Sequence, residues 1–275
     1  MFSPSAASQF VKLPSGATAR YIDRPGPSKT LVLLHGGNCS LESWDAVADR
    51  LTGKARIISL DMPGHGLTGP TPDHDYSPIA MVRFLSEFTE ALKLNSFALG
   101  GHSMGGHVAW RYALEYPDQV TKLILVAAGG LANPTGIPGV GMKYSATEKG
   151  REAMRAGQSR ERMELGLRDM FGVKSAVTPE LVDRNWDMAS RAGSLDATMA
   201  RFSAPMFEPA AIARLPDIAA PTLIIWGAMD NVFALRVSKT LEAIPYHQFA
   251  VYEGVGHFPH EEAPERVAAD ISAFL

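Results

Sequence analysis

One cysteine, Cys39, in 275 residues leaves no disulfide framework available, which excludes a stapled secreted scaffold. Long apolar runs are also missing. The longest aliphatic stretches, such as Leu123 to Ala128, fall far short of a membrane span. Neither charge sign dominates: 26 basic residues face 29 acidic ones, for a net charge of −3, and no basic stripe marks a nucleic-acid surface. Met1 to Phe10 is rich in Ser and Ala but has no basic start followed by an apolar block, a poor signal peptide. The expectation is a cytoplasmic protein. No metal-ligand spacing occurs, neither H-x-x-x-H nor paired cysteines; no G-x-G-x-x-G follows the first strand, and a Gly-Lys-Ser/Thr phosphate loop is absent. The chain is therefore expected to use no metal and no cofactor. No internal repeat or low-complexity tract interrupts it.

What is present is globular. A hydrophobic fraction of 46% against 20% charged supplies a sizeable core. Gln9–Leu13 and Ala17–Tyr21 flank Pro14-Ser15-Gly16 and read as a hairpin. Further strands are expected at Thr30–Leu34, Arg56–Leu60, Ser96–Leu99, Leu123–Ala127, Thr222–Trp226 and Gln248–Tyr252. Helical patterns lie between them at Leu41–Leu51, Pro78–Leu94, Gly106–Glu115, Leu235–Ile244 and Pro264–Phe274. Such alternation implies an α/β fold with a mainly parallel sheet covered on both faces.

The alternation stops between about Leu131 and Pro209. A loop dense in Gly and Pro, 133–139, precedes helical patterns at Ala146–Ala156, Ser159–Phe171, Pro179–Arg191 and Leu195–Phe202. Residues 1–130 and 210–275 thus read as a core domain, and 131–209 as a helical cap. Seven of the twelve methionines fall inside that insertion: Met142, Met154, Met163, Met170, Met188, Met199 and Met206. Most are expected to pack between helices, with a few lining a deformable apolar pocket. The charges there, Arg151, Arg155, Arg160 and Arg162 against Glu152, Glu161 and Glu164, fit a solvated helix face.

Gly101-His102-Ser103-Met104-Gly105 is a G-x-S-x-G pattern, and its context decides its meaning. A strand precedes it and a helix follows. A strained strand-to-helix turn needs small neighbours, which Gly101, Gly105 and Gly106 provide. The turn puts Ser103 at a helix N-terminus, where developing negative charge is favoured. A serine hydroxyl needs a base, and the base an orienting acid. Asp230, four residues past the Thr222–Trp226 strand, is the acid candidate, and Asp61 its rival. His257, in the loop after the last strand, is the base candidate. His260 is its rival, although Pro259 and the acidic Glu261-Glu262 suggest a solvated helix start. His35 and His65 read as loop ties, and Cys39 as a buried small hydrophobe.

Five stretches in order carry a wider likeness: His35-Gly36-Gly37, Asp61-Met62-Pro63-Gly64-His65-Gly66, Gly101 to Gly106, Trp226-Gly227-Ala228-Met229-Asp230 and Gly256-His257-Phe258. With them nearly the whole chain resembles the α/β-hydrolase superfamily. The resemblance implies that fold with a helical cap. It also implies Ser103 as nucleophile, Asp230 as acid, His257 as base, and an oxyanion hole from the backbone N–H groups of Gly37 and Met104. Gly36, Asn38, His102 and Phe258 are candidates to line the substrate site. The expected activity is hydrolysis of carboxylic esters of small apolar or aromatic substrates through an acyl-enzyme. C–C hydrolysis of ring-fission diketones stays open, although those relatives usually follow the base with a tryptophan where this chain has Phe258. Cofactor-free perhydrolase or haloperoxidase chemistry and a ligand-binding receptor are further alternatives. Dehalogenases and epoxide hydrolases of this fold use an aspartate nucleophile, so Ser103 argues against both.

Overall fold

The computed structural model describes residues 7–131, 147–156, 158–204 and 207–275. The 133–139 stretch, Met142, Met206 and the side chains of Arg151 and Met154 lie outside the described residues.

Eight strands form one sheet: β1 (Gln9–Lys12), β2 (Thr18–Arg24), β3 (Thr30–Leu34), β4 (Arg56–Leu60), β5 (Phe97–His102), β6 (Val120–Val126), β7 (Thr222–Gly227) and β8 (His247–Tyr252), in the spatial order β1-β2-β4-β3-β5-β6-β7-β8. β1 and β2 pair antiparallel, as do β2 and β4; every other pairing is parallel. The expected hairpin is therefore the antiparallel edge of an otherwise parallel sheet.

Central strands are mostly apolar because both of their faces are covered. Along β3, Val32 and Leu34 join one core cluster while Leu31 and Leu33 join the other. β7 splits the same way, Ile224 and Trp226 against Leu223 and Ile225. Helices α2 (Pro78–Ala91) and α3 (Met104–Glu115) cover the first face. A 3₁₀ turn (Leu41–Trp44) that runs into α1 (Asp45–Arg50) covers the second, together with the C-terminal helix.

After β6 come four helices and no intervening strand among the described residues: α4 (Glu148–Ala156), α5 (Arg160–Met170), α6 (Pro179–Ala189) and α7 (Ser194–Ser203). Each sits within two or three residues of its expected place. Ser159 and Thr178 cap α5 and α6 through their side-chain oxygens. Short turns α8 (Pro209–Ile212), α9 (Leu235–Ser238) and α10 (Pro259–Glu262), then the terminal α11 (Pro264–Phe274), complete the chain. The helix expected over Leu235–Ile244 tightens into a 3₁₀ turn from Lys239. Ser238 Oγ donates to the Leu235 carbonyl where the α-helix ends, a local bond that competes with helix continuation. Among the described residues no helix is long and apolar enough to cross a membrane.

Candidate active site

All five motif stretches emerge at the carboxyl edge of the parallel strands, where loops from neighbouring strands converge. β5 runs three residues further than expected, through Gly100 and Gly101, and delivers Ser103 directly into α3. Glycines in that strand are packing requirements, not a turn. A Cβ on Gly101 would lie 2.2 Å from the Gly105 carbonyl oxygen, and one on Gly105 2.5 Å from that of Leu34. Ser103 itself has φ 51° and ψ −111°, a strained setting for a residue with a side chain. Ser103 N–H donates to Val126 O, and its carbonyl accepts from Gly129 N–H, so two β6-side bonds hold the strain in place.

His257 and Asp230 meet it there. Ser103 Oγ donates to His257 Nε2 at 3.1 Å, and His257 Nδ1 donates to Asp230 Oδ2 at 2.9 Å. The other Asp230 oxygen accepts from the Val232 and Phe233 amides, both at 2.9 Å, so the carboxylate cannot rotate without loss. Both side chains are sealed, Asp230 completely, while Ser103 is half-buried. Neither the Gly37 nor the Met104 amide finds an acceptor among the described residues. Gly36 packs so closely that a Cβ there would lie 3.3 Å from Ser103 Cβ.

The histidines divide by their partners. His35 is fully buried and bridges two loops: Nδ1 donates to Gly36 O at 2.7 Å and Nε2 accepts from Met62 N–H at 3.0 Å. Burial lowers its pKa to about 4, so the ring is a neutral tie. His65 Nδ1 meets Pro63 O at 2.8 Å, a second loop tie. His102 is buried against the base, its Nε2 donating to the His257 carbonyl at 2.8 Å.

His260 does not sit at a solvated helix start. It is fully buried, with ring centroids 4.4 Å from both Trp44 and His102, and it makes no bond to Ser103. Its acidic neighbours are buried too, because each has partners the local sequence does not reveal. Glu261 pairs with Arg184. Glu262 accepts from four amides: Gly172 at 2.7 Å, Val173 at 2.8 Å, and Gly256 and Phe258 at 3.0 Å. One carboxylate thereby ties the segment after α5 to both neighbours of His257, and His257 N–H adds a bond to Met170 O at 2.9 Å.

Asp61, the rival acid, is occupied elsewhere. It is fully buried, accepts from the Leu41 and Leu67 amides at 2.7 and 2.8 Å, and pairs with Arg20 at 3.0 Å. Arg20, from β2, also pairs with Glu42 at 2.5 Å and is itself fully buried. Burial raises Asp61 to a pKa of about 6 in spite of that cation. Cys39 is buried and its thiol is pushed up to about 12, also by burial. Asn38 takes φ 59°, and its Oδ1 accepts from Thr198 in α7. Phe258 stacks on Phe171 at 4.7 Å. Together with Cys39, Leu167, Val177 and Val182 they form a third apolar cluster, flanked by Met163 and Met170. Met188 and Met199 are buried as well.

Glu262 and Arg201 are among the features that escaped the sequence reading. Glu262 has no local signal. Arg201 has one: in α7 the buried positions Ser194, Ala197, Thr198 and Arg201 recur at the spacing of one helix face, so an arginine occupies a core position. Among the described residues no group of three or more His, Cys, Asp or Glu is placed to hold a metal ion.

A profile of the alpha/beta hydrolase fold matches residues 29–264. A monoacylglycerol lipase of Mus musculus is 31% identical over 264 residues, covering 92% of this chain and 77% of the lipase. A 2-hydroxy-6-oxononadienedioate/2-hydroxy-6-oxononatrienedioate hydrolase of Paraburkholderia phymatum is 30% identical over 291 residues, covering 98% and 96% of the two chains. The solved structure of a thermophilic esterase from Thermogutta terrifontis superposes with a TM-score of 0.80 at 26% identity, over 98% of each chain.

Proposed function

From a chain that belongs to the α/β-hydrolase family, we propose a serine hydrolase that cleaves carboxylic esters of small substrates. The observation that carries this reading is the unbroken hydrogen-bonded line from Ser103 Oγ through His257 to Asp230, at 3.1 and 2.9 Å. Ser103 attacks the ester carbonyl as His257 Nε2 accepts its proton. Asp230 keeps the imidazole in the tautomer with Nδ1 protonated and stabilises the imidazolium that forms. The carbonyl oxygen, now an oxyanion, rests on the unoccupied amides of Gly37 and Met104, each worth about 3–4 kcal/mol of barrier. His257 returns the proton to the departing alcohol, then activates the water that releases the acyl group. Helices α4–α7 act as the cap, and residues 131–209 are the unit that shapes the substrate cavity.

Ser103→Ala is expected to abolish release of 4-nitrophenol from short 4-nitrophenyl esters while circular dichroism stays unchanged. Phenylmethylsulfonyl fluoride should add once to the wild type and not to the variant, read by intact mass. Undiminished turnover in Ser103→Ala would rule out this assignment.

The Paraburkholderia relative supports a second reading, C–C hydrolysis of a ring-fission product by the same three residues. Phe258 in place of the tryptophan usual there weighs against it. Loss of the absorbance of a vinylogous 1,5-diketone, faster than turnover of any ester, would favour it.

A further inference from the structure

Among the described residues, Arg201 is a buried cation with no anion beside it. It is only 6% exposed, and its Nε is sealed from solvent without an acceptor. Among the described residues its guanidinium makes no hydrogen bond and no ion pair. The molecule's other interior arginines are treated differently: Arg20 meets Glu42 and Asp61, Arg111 meets Glu208, and Arg184 meets Glu261. The groups close enough to Arg201 to exchange electrostatic influence with it are His35, His65 and Cys39, and burial keeps both imidazoles and the thiol neutral. Phe202, with its ring centroid 4.4 Å from Cζ, covers a face of the guanidinium and leaves the in-plane N–H donors available. Burial alone depresses its pKa to about 10. An unpaired interior charge is costly, and it persists where a ligand completes it.

The guanidinium lies beside the reaction centre. A Cβ on Gly37 would be 2.8 Å from Arg201 Nη2 and 3.1 Å from Cζ. Standard backbone geometry then puts Nη2 within about 5 Å of the Gly37 amide, one of the two proposed oxyanion donors. The opposite side of this turn faces His102 and Ser103, since a Cβ on Gly36 would be 2.5 Å from His102 Nδ1. The alcohol must leave beside His257, which protonates it. The group that reaches Arg201 therefore belongs to the acyl half.

We propose that Arg201 binds a carboxylate on the acyl half of the substrate, so that the site selects half-esters of short dicarboxylic acids over neutral esters. This rests on the serine-esterase reading above. A guanidinium fork matches a carboxylate in two parallel hydrogen bonds, and the distance to the oxyanion donors puts that carboxylate only a few bonds from the scissile carbonyl.

The test compares monoethyl succinate with ethyl pentanoate, following ethanol release by the full chain. Wild type is expected to favour the half-ester by tenfold or more in kcat/KM. Arg201→Gln should lower kcat/KM for monoethyl succinate by about 10- to 100-fold, mainly through KM, and leave ethyl pentanoate within about threefold. Arg201→Lys should fall between. Equal turnover of the two esters by wild type overturns the proposal. So does an equal loss on both in Arg201→Gln, which would put the side chain on the oxyanion or in the fold. Should that variant not fold, wild type decides: succinate must inhibit ethyl pentanoate turnover competitively and succinamide must not. Ethyl pentanoate cleaved in a Ser103-dependent way without any half-ester preference sinks this inference and leaves the esterase reading standing; no cleavage of either ester sinks both.

Discussion

Replacing Glu262 by glutamine should weaken both the fold and the chemistry. The carboxylate accepts from the amides of Gly172, Val173, Gly256 and Phe258 at 2.7 to 3.0 Å. A neutral amide oxygen has lone pairs for two of them, and its NH₂ end would face donors. Two amides then keep a weaker acceptor, at a loss of about 1 kcal/mol each, and two are orphaned at about 1–3 kcal/mol each. Discounted for relaxation and non-additivity, the cost is about 3–5 kcal/mol. For a chain of this size that lowers Tm by about 6–15 °C. Because Gly256 and Phe258 flank His257, the freed loop also lets the imidazole drift. A displacement near 1 Å costs about 100-fold in kcat, so a 10- to 100-fold fall is expected at a temperature where the variant is folded. The control is Glu265→Gln, an exposed carboxylate nearby that pairs with Arg50 at the surface and should shift Tm by less than about 2 °C. A Glu262→Gln protein that melts within 2 °C of wild type would show that the four amides do not depend on the charge.

Asp230→Asn should keep the fold and lose about 10⁴-fold in kcat, since Oδ1 must stay with the Val232 and Phe233 amides and the new NH₂ then faces His257 Nδ1. A loss below tenfold in steady-state assays would remove Asp230 from its assigned place. Stability should also fall in acid. Burial holds His35 near pKa 4 and drives His65, His102 and His260 well below the ordinary value, whereas the unfolded chain regains imidazoles near 6.5. Below pH 6.5 the unfolded state binds more protons, so this stabilisation is complete above 6.5 and drains away as pH drops through 4. Asp61 and Glu261, raised by burial, act in the opposite sense and offset part of it. A net uptake of at least one proton is expected, about 1.4 kcal/mol per pH unit between 6 and 4.5. Urea midpoints that hold steady or climb over that range would contradict it.

The sheet was readable because its strands are buried on both faces and announce themselves as short β-branched runs. Helices α5 and α6 were readable because Ser159 and Thr178 cap them in sequence. Positions at the ends of parallel strands made Ser103, Asp230 and His257 candidates to converge, with Asp61 and His260 as rivals, and the family resemblance supplied their roles. What escaped was long-range pairing of charges. Glu261 and Glu262 look like surface residues until Arg184 and the amides near Gly172 and Gly256 arrive from elsewhere. Arg20 looks like an exposed hairpin residue until Glu42 and Asp61 close on it. No local pattern distinguishes a solvated acid from one that will find an interior partner. Gly100 and Gly101 misled in the other direction: they read as the end of a strand, yet they keep that strand going beneath Leu33 and against α3.

Arg20 also gives the edge ribbon a duty that its marginal position hides. β2 brings the cation that pairs with two interior acids, Glu42 and Asp61, beside the loop that begins at His35. A shortened chain that began after Arg24 would keep most of the sheet yet strand both negative charges in the interior. Trimming the front of this protein therefore has an electrostatic cost felt at the nucleophile's doorstep, far from the cut.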